Sequence, residues 1–161
     1  MTLSDLMTGI TPNASFEGPV TADDMVLAVD LESAASIGGY IVAQKYVSEH
    51  SGTIESESQD SQYIRTGKTN TRTGAVRVIT VNGDRYVGDD FQDKMLGHAI
   101  KYGKGASVIV DYIYFNIKNG KGEKGKVTID VTEDASGAAG ENASFTATLR
   151  SVGTPDDYTY A

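Results

Sequence analysis

Cysteine is absent from the 161 residues, which removes disulfide frameworks, zinc-thiolate sites and thiol nucleophiles together. That fits a chain folded in a reducing cytoplasm. Histidine is nearly absent as well: only His50 and His98 occur, and no spacing of Ser, His and Asp suggests a catalytic group. No apolar run approaches the ~20 residues that cross a bilayer. Residues 1–7 carry neither a basic n-region nor an apolar h-region, so the expectation is a soluble protein with no signal peptide and no membrane partner. Positive charge is scarce: 14 Lys and Arg face 22 Asp and Glu, a formal net charge of -8. That balance argues against a general affinity for nucleic acid. A chain this long buries roughly 70% of its unfolded surface and needs no metal to fold, so a single domain over 1–161 is expected.

What is present is mostly β-patterned. Residues 1–19 hold two of the three prolines and no sustained period, and read as an extended arm. The core is expected over 20–152 and a polar tail over 153–161. In 25–30, Met25, Leu27 and Val29 alternate with Val26, Ala28 and Asp30. Further strands are expected over 40–47 and 75–81, the latter closed by Asn82-Gly83-Asp84. Residues 106–117 are apolar on both phases, with Ile109, Ile113 and Phe115 on one and Val108, Tyr112 and Tyr114 on the other. Such a strand is covered on both sides, its second face by the helix or by another subunit. Val127, Ile129 and Val131, then Phe145, Ala147 and Leu149, mark two more strands.

One helix is expected, over 89–102, with Asp89 as its cap and Gln92 three residues on, as in a capping box. At about 100° per residue, Phe91, Met95, His98, Ala99 and Tyr102 form one packing face. Asp90, Asp93, Lys94 and Lys101 lie opposite. About seven strands and one helix give the fold class: mainly β (α+β), two packed antiparallel sheets in a sandwich or partial barrel with one flanking helix.

Residues 48–75 form a long, polar, hairpin-like loop whose charges are sorted by sign. Glu49, Glu55, Glu57 and Asp60 come first, then Arg65, Lys68 and Arg72. Loops this long are functional or disordered. An acidic half and a basic half can pair with each other or with a copy in a neighbouring chain. Glu55, Glu57, Asp60, Arg65, Lys68 and Arg72 are therefore the candidate contact residues, in a hairpin expected to be loose until it meets the next copy.

Other chemistry is weaker. Gly67-Lys68-Thr69 lacks the earlier glycine of a phosphate loop, since Gln62 stands there. Asp130, Asp134 and Ser136 miss calcium-loop spacing. The basic groups around Arg65 to Arg85 and Lys118 to Lys126 lack interleaved stacking aromatics. His50 reads as solvated, His98 as a packing residue. No cofactor or metal is expected, and no enzymatic activity.

The order of these elements is familiar. Gly88-Asp89-Asp90-Phe91-Gln92-Asp93-Lys94-Met95-Leu96, Tyr102-Gly103, the strand over 108–115, Gly120-Lys121-Gly122-Glu123-Lys124-Gly125 and the strand over 127–131 resemble the tail tube proteins of long-tailed bacteriophages. The resemblance spans roughly 37–152. It implies a structural virion protein whose copies form hexameric rings that stack into a tube. It also implies a lumen for a tape measure protein and then for DNA in transit, with tail terminator and baseplate or initiator proteins as further partners. Assembly in the bacterial host's cytoplasm is implied too. Inner tubes of contractile tails and secretion machines are related. A different reading is a β-sandwich module binding carbohydrate or a cell surface through Tyr112, Tyr114, Tyr158 and Tyr160.

Overall fold

The strand that is apolar on both phases organises the molecule. In a computed structural model describing residues 1–160, it is β5 (Ile109–Asn116), flanked by β1 (Met25–Val29) and β6 (Lys121–Ser136). Tyr112 and Tyr114 point into the larger core with Leu27, Val29, Ile79 and Phe145. Ile113 and Phe115 point the other way, into a second core with Val26, Ala28 and Val42.

The cover over that second face comes from the chain's own ends. Helix α1 (Leu3–Met7) buries Leu3 and Met7, which lie four residues apart on one face. Thr2 caps it: its hydroxyl accepts from the Asp5 N–H at 3.2 Å, and its own N–H donates to the Asp5 carboxylate at 3.2 Å. Near the other end, β8 (Asp156–Thr159) pairs with the first part of β6. Tyr160 stacks on Phe115 with ring centroids 5.8 Å apart. The extended arm expected over 1–19 thus begins as a docked helix. Neither the flanking helix nor a second subunit is needed to close this face.

The remaining strands are β2 (Ile41–Val42), β3 (Val47–Tyr63), β4 (Gly67–Asp84) and β7 (Ser144–Ser151). The chain is mainly β, and its strands form one antiparallel network in the order β2-β1-β5-β6-β7-β4-β3. The strands form a single sheet that curls on itself, the partial-barrel form of the expected architecture. Although β6 and β7 separate them in the ladder, Tyr114 on β5 meets residues of β3 and β4. Its ring lies 6.0 Å from that of His50 and 5.6 Å from the Arg77 guanidinium. The larger core fills the concave side.

The flanking helix is two short pieces, α2 (Asp90–Met95) and α3 (His98–Lys101). Asp89 caps α2, accepting from the Gln92 N–H at 3.2 Å. Phe91 and Met95 are buried, but His98, Ala99 and Tyr102 are exposed. The cause is Gly97, whose ψ of 153° takes the backbone out of the helical region and restarts the angular phase. Ile100 turns towards the core instead.

Candidate assembly interface

The polar stretch over 48–75 is no loop. β3 and β4 form a continuous antiparallel ladder out to the Tyr63–Gly67 pair, with a turn between them. Only the root of this hairpin touches the body. Residues 54–60 and 62–76 are exposed, and Ile64 at the tip is 92% exposed. Arg65 in the turn adopts φ 69°, a left-handed conformation costing a non-glycine residue about 1 kcal/mol.

Three devices fix the root. Gln92, fully buried, donates from its amide nitrogen to the carbonyls of Lys45 and Asp84, each at 3.0 Å. Its amide oxygen accepts from the Tyr86 N–H at 2.8 Å. One side chain therefore holds the chain just before β3 and just after β4. Its side chain does not close the capping box. Across the concave side, Arg77 on β4 pairs with Glu123 on β6. Glu123 also accepts from the Tyr112 hydroxyl at 3.2 Å. Burial, with the Glu123 carboxylate beside it, pushes that phenol well above its ordinary value. On the opposite face, Glu55 reaches Arg150 on β7 at 2.8 Å.

The register decides where the other charges point. Directly opposed residues share a face. Glu55 and Glu57, opposite Val76 and Gly74, lie on one face. Ile54 and Ser56, opposite Arg77 and Ala75, lie on the other. Between the Glu57–Gly74 and Ser58–Arg72 pairs the register slips, leaving Thr73 as an extra residue on β4. A bulge of this kind transfers every later residue of its strand to the opposite face. It carries Arg72 and Lys68 onto the face of Arg77, away from the glutamates.

Of the candidate contact residues, the structure joins only Asp60 and Lys68, at 3.2 Å. Asn70, donating at 2.6 Å, and Lys68 together hold the Asp60 carboxyl below its usual value. Glu55 is engaged by Arg150. Glu57, Arg65 and Arg72 have no ion pair or side-chain hydrogen bond among the described residues.

The remaining candidates find ordinary places. Gly67 to Thr69 open a strand, not a helix. Lys101 lies 3.0 Å from Asp134 and holds its carboxyl low. Lys118 pairs with Asp24 and Lys126 with Asp111. His50 is half-buried rather than solvated, with an Nδ1 that meets no partner. His98 instead faces solvent beside Tyr102. Tyr112 and Tyr114 are buried, and Tyr158 and Tyr160 pack on Phe115, so none of the four is a free platform. Sequence reasoning missed Glu123 and the clamp role of Gln92. Both act on residues distant in the chain, and no local pattern marks them.

The fold has solved counterparts. A chain in the tail of an empty GTA particle, computed with helical refinement at C6 symmetry, matches with TM-score 0.64 and 17% identity. The match covers 88% of this chain and 100% of that one. A chain in the virion of a native gene transfer agent (GTA) particle matches with TM-score 0.56 and 14% identity, over 89% of this chain and 100% of that one. No protein-family model and no curated protein sequence matches. At these identities the likeness is one of fold.

Proposed function

We propose that this chain is the major tube subunit of a phage-like tail, a structural protein without catalytic activity. Copies form hexameric rings, and the rings stack into a tube whose lumen holds a tape measure protein and later passes DNA. The tube is built in the bacterial host's cytoplasm, ends up in the virion, and meets terminator and baseplate or initiator proteins at its ends. The single observation that carries this reading is the fold match, over 88% of this chain, to a chain of a six-fold symmetric tail. The protruding hairpin supports it, because Glu57, Arg65 and Arg72 on its exposed surface have no ion pair or side-chain hydrogen bond among the described residues. Glu55, Glu57, Asp60, Arg65, Lys68 and Arg72 supply contacts between neighbouring copies.

Negative-stain microscopy of the concentrated protein tests this. Rings or tubes about 100 Å across are expected, the width of six subunits of this size around a DNA-wide channel. Reversing Arg65, Lys68 and Arg72 together to Glu abolishes them while the subunit stays folded. A protein that stays monomeric at every concentration refutes the tube reading; a triple variant that still forms normal tubes refutes the assigned contact residues.

A further inference from the structure

The free part of the hairpin is a ribbon about 30 Å long, taking about 3.4 Å per residue, and its two faces carry opposite charge. Glu55 and Glu57 lie on one face; Arg72, Lys68 and Arg77 lie on the other, together with the single carboxylate of Asp60. Most of these charges are already matched: Glu55 by Arg150, Lys68 by Asp60, Arg77 by Glu123. Two are left over. Glu57 and Arg72 stand on adjacent rungs of the ribbon, either side of the bulge, on opposite faces, exposed and unpaired among the described residues.

We propose that this leftover pair sets the direction of assembly: Glu57 of one copy meets Arg72 of the next, with the acidic face of one hairpin laid on the basic face of its neighbour. The inference rests on the tube reading and deepens it by naming the partner surface and its polarity. Stacked sheets lie about 10 Å apart, a gap that a Glu and an Arg side chain span together. A two-fold contact through either face sets like charge against like, which is unfavourable. Joining unlike faces is a head-to-tail contact, and head-to-tail contacts generate rings when the rotation closes. The Thr73 bulge is what makes this possible. Without the extra residue, Arg72 and Lys68 would share the face of the glutamates, and neither face would complement the other.

The test is a charge swap read by sedimentation and negative-stain microscopy. Glu57→Arg makes both faces basic; Arg72→Glu makes both acidic. Each variant alone is expected to raise the concentration needed for ring formation about tenfold or more, the effect of turning exposed attractions into repulsions. Their melting temperatures should match wild type, because neither side chain has a partner within the subunit. An equal mixture of the two variants should assemble by alternation, and the double variant should assemble alone. If both single variants form rings at wild-type concentrations, the pairing is overturned and the tube reading stands. If they fail and neither the mixture nor the double variant recovers, the two residues touch something other than each other, which also overturns it. A wild-type protein that never assembles removes both.

Discussion

Replacing Gln92 by leucine tests whether one buried amide holds the hairpin root. Leucine nearly conserves the volume, so the packing change is small. What is lost is polar. The carbonyls of Lys45 and Asp84 lose donors at 3.0 Å, and the Tyr86 N–H loses its acceptor at 2.8 Å. Each buried group left without a partner costs about 1–3 kcal/mol. These three bonds are only part-buried, so water restores some of the loss, and about 3 kcal/mol in total is expected. In a chain of this size that lowers the melting midpoint by roughly 6–12 °C, readable by calorimetry at neutral pH. Gln92→Glu sharpens the test, because it keeps the acceptor but aims a carboxylate oxygen at two carbonyls. Burial and the two facing carbonyls raise the folded-state pKa of the new carboxyl above its unfolded value of about 4.3, against the opposing pull of the Arg85 guanidinium 3.4 Å from the amide oxygen. The variant should therefore be most stable below the unfolded value and lose stability as pH climbs through the folded one. A leucine variant melting within about 2 °C of wild type, or a glutamate variant whose stability relative to wild type ignores pH, would show that the amide is not the clamp.

Two further outcomes follow from packing and charge. A Cβ on Gly122 would overlap the Tyr114 carbonyl and the Phe115 backbone across the ladder, so Gly122→Ala should separate β5 from β6 and cost about 3 kcal/mol or more in urea denaturation. Arg85, bonded at 2.8 Å, and the Gly88 N–H hold the Asp93 carboxyl below its ordinary value. Its contribution is therefore full above the unfolded pKa of about 3.9 and disappears as pH falls through the folded one. Acid titration should show Arg85→Gln unfolding with a weaker pH dependence below pH about 4 than wild type.

What the sequence made legible was whatever burial writes into it. The two apolar phases of β5 announced a strand covered on both sides, and alternation marked β1, β6 and β7. The cover itself was not legible. Helix α1 has five residues, too few to be stable alone, and exists because Leu3 and Met7 find the second core. The face expected on 89–102 failed beyond Gly97, since a periodicity argument assumes unbroken helical geometry. The hairpin is expected from the sequence but its regular ladder out to Tyr63 is not, for the opposite reason. Neither face of 54–76 is buried by the subunit, so the alternation that betrays a strand has no cause to appear. Its charge order along the chain was plain to read. Its charge order across the ribbon depends on the Thr73 register slip, which only the folded structure discloses.

That exposed ribbon needs a physical account, because an isolated two-stranded hairpin is marginally stable in water. Its length here is supported from the root, by Gln92 behind, Arg77–Glu123 on the concave side and Glu55–Arg150 on the other. Those contacts aim the hairpin within the chain's own fold. A loose loop that ordered only on contact would lose its conformational entropy at the moment of association and weaken each contact accordingly. The ladder removes most of that penalty in advance. In the proposed head-to-tail contact, weak exposed charges such as Glu57 and Arg72 need only bias a geometry that the fold has already set.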